Sequence, residues 1–161
     1  REHKGSMKGR KLCFIGDGNN MANSLIVGGI NSGMSVAIGC PDTHKPDADL
    51  MKWASENGEF TCTDDIFAAA KDADYTDIWA SMGEEAEAEE RKKIFKGYQV
   101  NAELMSAAKK DAMVLHCLPA HRGEEITADV FEAHANEIFD EAENRLHAQK
   151  AVMVMCMKDK E

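Results

Sequence analysis

The chain has 161 residues, 43% of them hydrophobic and 30% charged, the balance of one globular domain, which excludes disorder, collagen or coiled coil as a description of the whole. Nineteen basic against 29 acidic side chains leave a net charge of −10, which repels phosphate backbones and argues against a nucleic-acid partner. No apolar run approaches the roughly 20 residues of a bilayer span, and the polar start Arg1-Glu2-His3-Lys4 does not read as a signal peptide, so no membrane partner is expected.

Lys11-Leu12-Cys13-Phe14-Ile15 is an apolar run ending at Gly16 and reads as the first strand. Met21 to Ile30 carries Met21, Leu25, Ile26 and Ile30 on one face, which predicts a helix stopped near Gly33. Ser35 to Gly39 is a second strand, and Pro41 to Pro46 a turn. Asp47 to Asn57 reads as a helix with Asp47 as N-cap and Asn57-Gly58 as stop. Phe60 to Cys62 is a brief strand, Asp64 caps a helix through Ala70, and Tyr75 to Trp79 is a strand. Glu84 to Lys93 and Asn101 to Lys109 are predicted helices, the first a solvated one laced by Glu87/Arg91 and Glu89/Lys93 pairs. Ala112 to His116 is a buried strand, Thr127 caps a short helix, Ile138-Phe139 is a last strand, and Glu141 to Met157 is a long C-terminal helix. This alternation predicts a single α/β domain over residues 1–161, doubly wound and Rossmann-like, with a mainly parallel sheet and helices on both faces.

Ligands of open α/β sheets bind beyond the carboxyl ends of the strands. That rule selects three polar loops: Gly16 to Asn20, Ser81-Met82-Gly83 with Asp77 late in the strand before it, and Cys117 to Gly123. Gly16 and Gly18 are followed by Met21 where a dinucleotide fingerprint needs glycine, so NAD is not expected. Asn19 and Asn20, beside the free N–H groups of a helix start, suit a carboxylate or zwitterion. Asp77 reads either as a local cap or as a carboxylate facing a ligand amine. Ser81-Met82-Gly83 is either an ordinary helix start or a hinge. Cys117 is either a small packed hydrophobe or a group at a reacting centre. Arg145 is either the surface partner of Glu141 or a clamp on an oxyanion. Five scattered cysteines without CxxC, and six histidines without HxxxH or HExxH, show neither a disulfide framework nor a metal motif. The expected setting is a reducing compartment.

Four segments together resemble the ornithine carbamoyltransferase family: Gly16-Asp17-Gly18-Asn19-Asn20, Asp77-Ile78-Trp79-Ala80-Ser81-Met82-Gly83, His116-Cys117-Leu118-Pro119-Ala120-His121-Arg122-Gly123, and Phe139-Asp140-Glu141-Ala142-Glu143-Asn144-Arg145-Leu146-His147-Ala148-Gln149. They follow the family's order at nearly its spacing, from about Arg1 to Met157. The resemblance is to the second, ornithine-binding domain, with residues 1–9 as the remnant of an interdomain segment. It implies transfer of the carbamoyl group of carbamoyl phosphate to L-ornithine, giving citrulline and phosphate, with no cofactor and no metal. It further implies that Asn20, Asp77, Ser81 and Met82 hold the α-amino and carboxylate groups of ornithine. Cys117 and Leu118 would flank the reacting centre, and Arg145 would contact carbamoyl phosphate. The catalytic candidates are Cys117 and Asp77. An alkyl amine of pKa ~10.4 must lose a proton at a cost of about 4–5 kcal/mol at pH 7, and Cys117 would accept or relay that proton as a weak base. The Ser-Met-Gly loop would close over ornithine, and the parent enzyme would be a cytoplasmic homo-oligomer.

Two departures from the family pattern bear on this reading. The first half of the family, with its Ser-Thr-Arg-Thr-Arg phosphate loop, has no counterpart in the 161 residues. The chain therefore reads as a piece of something longer, with the missing carbamoyl-phosphate domain as its expected partner. The alternative is an excised or engineered domain that keeps the fold without the activity. The family also has two more apolar residues between Ala73-Asp74 and Tyr75-Thr76-Asp77, and their absence shortens the fourth strand.

Overall fold

The computed structural model describes residues 2–78, 91 and 93–158. Five parallel strands form one sheet in the order β3-β2-β1-β4-β5: β1 is Lys11–Ile15, β2 Ser35–Gly39, β3 Phe60–Thr63, β4 Tyr75–Ile78 and β5 Met113–Val114. The order reverses at β1, which makes the fold doubly wound as expected. Residues of β1 alternate between two cores because successive strand side chains point to opposite faces. Phe14 packs with Ile26, Ile30 and Ala54 from α1 (Asn20–Asn31) and α2 (Ala48–Asn57). Cys13 and Ile15 pack on the other face with Ala69 of α3 (Ile66–Ala70), Leu104 of α4 (Ala102–Ala107), and Val130 and Phe131 of α5 (Ala128–Ala133). α6, Ala135–Met157, contributes Ile138 to that second core.

Helix starts follow local side-chain chemistry. Asn19 Oδ1 accepts from the N–H groups of Met21 and Ala22, and Asp47 Oδ1 accepts from Leu50 N–H at 2.9 Å, each satisfying donors that the helix leaves free. The α3 cap is Asp65 rather than Asp64: its Oδ1 takes the N–H groups of Phe67 and Ala68 at 3.0 and 3.1 Å. After α1, Gly33 turns the chain at φ 74, a conformation glycine adopts without steric cost.

The sharpest difference from the sequence reading lies at Ile138-Phe139. These residues are helical, because α6 begins at Ala135 and not at Glu141. Ile138 is fully buried while Phe139 is 55% exposed, so one turn of an amphipathic helix, and not a strand, places the isoleucine in the core. Strand β5 is correspondingly short at Met113–Val114, against the expected 112–116. Its inward N–H groups belong to the β4 ladder, with Met113 N–H donating to Asp74 O and Leu115 N–H to Thr76 O. The outward N–H groups of Val114 and His116 meet no further strand. They donate instead to Glu137 Oε2 at 3.4 Å and to Glu141 Oε2 at 2.8 Å. The predicted helix at 84–93 lies outside the described residues apart from Arg91 and Lys93, and Trp79 lies outside them altogether.

The opening segment is tied to the body: Lys4 Nζ donates to Asp111 Oδ2 at 2.9 Å, and Arg10 Nη1 to the buried Asp74 at 2.9 Å. Adjacent glycines of α1 test the packing. A Cβ on Gly29 would come within 2.5 Å of Val36 on β2, whereas one on Gly28 would meet nothing within 4 Å. Gly28→Ala is expected to stabilise the fold by roughly 0.5–1 kcal/mol through helix propensity alone. Gly29→Ala is expected to destabilise it by about 1–3 kcal/mol through overpacking. Urea unfolding of the two variants should move their midpoints in opposite directions.

Candidate functional site

The carboxyl ends of β1, β4 and β5 converge on one edge of the sheet. At the end of β1, Gly18 N–H donates to His44 O at 2.8 Å, and a Cβ on Gly18 would fall 2.2 Å from the Pro46 backbone nitrogen. The 16–20 turn is therefore braced against the 41–46 loop, a contact only glycine permits. Asn20 is the first residue of α1 and exposed; its carbonyl takes the Ser24 hydroxyl at 2.9 Å. Asp17 is held by Arg91 Nη2 at 2.5 Å, and the Arg91 guanidinium lies 5.2 Å from the Phe95 ring centroid.

Asp77 sits on β4 in register with Phe14, one residue before the ends of both strands, and is 1% exposed. Its Oδ1 accepts from Ile78 N–H at 2.7 Å, while Oδ2 has no partner among the described residues. Burial, reinforced by the nearby Glu141 carboxylate, pushes its pKa up to about 7. Asp74, three residues earlier, behaves oppositely. It is as deeply buried, but it accepts from Arg10, from Lys11 N–H and from Lys109 Nζ at 2.7 Å. Burial opposes its charge, yet those donors outweigh burial and hold its carboxyl low. One aspartate is a completed structural ion; the other keeps an open oxygen.

Beyond β5 the chain is shaped by a buried His116. Leu118 N–H donates to its Nδ1 at 2.9 Å, which leaves the ring proton on Nε2, facing Glu125 Oε1 at 3.1 Å. The same Glu125 oxygen accepts from His121 N–H. This relay holds Leu118 at φ 50, before a cis peptide to Pro119. Cys117 is half-buried. Burial raises its thiol, and Asp77, Glu141 and Glu125 add to the effect, so it is held as a neutral thiol. That state favours relaying a proton over accepting one. Glu141 is itself raised, by burial first, against the His116 N–H that it accepts.

The structure sets the Asp77 carboxylate near enough to Cys117 to raise its thiol, with Leu118 next along the chain. It leaves Arg145 exposed in the middle of α6, and among the described residues no hydrogen bond joins it to Glu141, which is engaged with His116. Ser81 and Met82 lie outside the described residues. Sequence reasoning missed Glu141, Glu125 and the Asp17–Arg91 pair. The i,i+4 spacing of Glu137 and Glu141 was visible in the sequence, but the strand edge that it matches was not. Among the described residues no group of three or more metal-ligating side chains assembles, and no helix is long and apolar enough to cross a membrane.

The family model described as aspartate/ornithine carbamoyltransferase, Asp/Orn binding domain, matches residues 8–156. The chain belongs to that family. It is 52% identical over 163 residues to the ornithine carbamoyltransferase of Thermococcus kodakarensis, covering 97% of this chain and 52% of that protein. The anabolic ornithine carbamoyltransferase of Pyrococcus furiosus is likewise 52% identical, and its solved structure aligns at a TM-score of 0.85 over 94% of this chain and 51% of its own. The structure of the Gloeobacter violaceus ornithine carbamoyltransferase aligns at 0.86 with 45% identity, covering 98% of this chain and 55% of its own. The chain spans about half the length of the relatives it matches.

The raised Asp77 carboxyl has a consequence for folding. Its folded pKa of about 7 lies above the unfolded value near 4, so the folded form prefers the protonated acid. Its share of stability is full below about pH 4 and is lost as pH rises towards 7. Asp77→Asn cannot ionise. It is expected to match the parent near pH 4 and to exceed it above pH 7 by an amount on the order of 2–4 kcal/mol. Urea unfolding across that pH range checks this; equal pH profiles for the two proteins would contradict the burial argument.

Proposed function

We propose that this chain is the ornithine-binding half of a carbamoyltransferase that joins the carbamoyl group of carbamoyl phosphate to L-ornithine. The observation that carries the reading is the open Oδ2 of buried Asp77 beside the neutral Cys117 thiol, in a domain whose relatives are named ornithine carbamoyltransferases. Asp77 offers an anion to the substrate's ammonium. Asn20, the first residue of α1 and exposed, receives the carboxylate with its side-chain amide, together with Ser81 and Met82. The side-chain amine of ornithine, its ammonium proton first released to water, attacks the carbonyl carbon of carbamoyl phosphate; the C–O bond breaks with its electron pair leaving on phosphate, and the further proton of the nitrogen ends on that departing phosphate. Cys117 and Leu118 flank that centre. The His116–Glu125 relay fixes the backbone there, and Cys117 passes the proton on as a thiol. Arg145 meets carbamoyl phosphate. Catalysis in this reading is positioning together with stabilisation of the developing charge.

The 161 residues hold no arginine-rich phosphate loop, so a carbamoyl-phosphate domain completes the site. The working enzyme is then a homo-oligomer of full-length subunits in the cytoplasm, a setting in keeping with five free cysteines.

The isolated chain is expected to make no citrulline above background from ornithine and carbamoyl phosphate, and to regain activity when the missing half is supplied in trans. Turnover by the chain alone, at the level of an intact enzyme, would overturn the division of labour. In the reconstituted enzyme, Cys117→Ala should lower kcat and kcat/KM together, the mark of a group acting in the transition state. Asp77→Asn should weaken ornithine binding by roughly 10- to 150-fold, the loss of one charge-assisted hydrogen bond of about 1.5–3 kcal/mol. Calorimetric titration of parent and variant with ornithine, and with putrescine as the diamine lacking the carboxylate, reads that loss directly.

A further inference from the structure

Cys40 follows β2 and Cys62 lies on β3, and neither takes part in the site described above. Ile38 and Cys62 are register partners in the parallel β2–β3 ladder. Cys40 stands two residues on from Ile38 and so shares its face. Both sulfurs pack in the core formed with α1 and α2. Cys40 is fully buried and Cys62 half-buried, and their Sγ atoms are 3.6 Å apart. Thiols at that separation need only about 1.5 Å of combined approach to reach bonding distance. β3 is the outer strand of the sheet, hydrogen-bonded in it to β2 alone, so only one strand pairing resists that approach.

The two sulfurs are chemically unequal. The hydrogen bond between the two sulfurs holds the Cys62 thiol below its ordinary value against burial, and the Lys45 ammonium adds to this. Lys45 is exposed and paired with Asp42 at 2.6 Å. Cys40 is raised, through the same hydrogen bond and then by burial. Cys62, half-buried where Cys40 is fully buried, is the sulfur an oxidant reaches first, and Cys40 is the resolving thiol.

We propose that Cys40 and Cys62 form a dithiol site that is oxidised to an internal disulfide by small-molecule disulfides. Cys62 thiolate attacks one sulfur of the oxidant, forming a mixed disulfide and expelling one thiolate. Cys40 then loses its proton and attacks Cys62 Sγ, forming the Cys40–Cys62 bond and expelling the second thiolate. The protein gives up two electrons and two protons, and the oxidant becomes two thiols. Cys40 leads directly into the 41–46 loop, whose His44 carbonyl braces Gly18, so the new bond anchors the loop that supports the Asn19–Asn20 turn.

The test is incubation of the full chain, natively folded, with excess oxidised glutathione, followed by acid quench, alkylation and peptide mapping. The expected product is lighter by two hydrogens, with a crosslink joining the peptides of Cys40 and Cys62. Cys40→Ser should retain glutathione on Cys62, and Cys62→Ser should slow modification of Cys40 by at least about tenfold. Glutathione collecting on Cys117 or Cys156 while Cys40 and Cys62 stay open to alkylation would overturn the proposal. So would a stable mixed disulfide on Cys62 of the parent chain with no crosslink. The mapping of the parent chain decides the matter even where a serine variant fails to fold.

Discussion

The edge of β5 is the constraint on which the candidate site rests. A parallel sheet ending at β5 leaves alternate N–H groups facing outwards, and buried donors without partners are costly. Val114 and His116 present two such groups, and Glu137 and Glu141 of α6 accept them. The match is geometric: two residues of strand rise about 6.6 Å and four residues of helix about 6.0 Å. The first turns of α6 thus stand where a sixth strand would be. In holding the edge, they bring a carboxylate to the carboxyl end of the sheet.

That carboxylate has electrostatic effects beyond its own hydrogen bond. Glu141 faces Asp77 and Cys117, and it raises both. A structural solution to an unpaired strand edge therefore sets the protonation of the two groups at the centre of the proposed chemistry. Asp74 shows how the fold treats a buried aspartate whose role is structural, surrounding the carboxylate with Arg10, Lys109 and a backbone N–H. Asp77 receives one backbone N–H and a neighbouring negative charge. The difference leaves Asp77 a raised carboxyl with one unpartnered oxygen among the described residues, the group to which the proposed function assigns the ligand's ammonium.

Much of the architecture was legible in the chain. The apolar runs at 11–15 and 35–39, the cap Asp47, and the alternation of short strands with helices all have local physical causes, and the structure bears them out. The reading failed where local preference was overruled. Ile138-Phe139 looks like a strand because both residues favour pleated surfaces, but the β5 edge is capped by helix side chains and not by a strand, and the helix buries Ile138 while Phe139 stays outside. Asp64 and Asp65 are equivalent as letters; only the turn geometry chooses the second as cap.

The sequence by itself determined the fold class, the family and the candidates at the strand ends, because each rests on periodicity or on contiguous motifs. Tertiary structure decided how those candidates stand. The β1–β4 register placed Asp77 inside the sheet opposite Phe14, so a residue read either as a local cap or as a carboxylate facing a ligand amine is a desolvated acid. The docking of α6 made Glu141 its neighbour across more than sixty residues of chain, and the β2–β3 register set Cys40 against Cys62. Burial and charge proximity are properties of packing between distant segments. A linear pattern carries the residues that will meet, but not the distances at which they do.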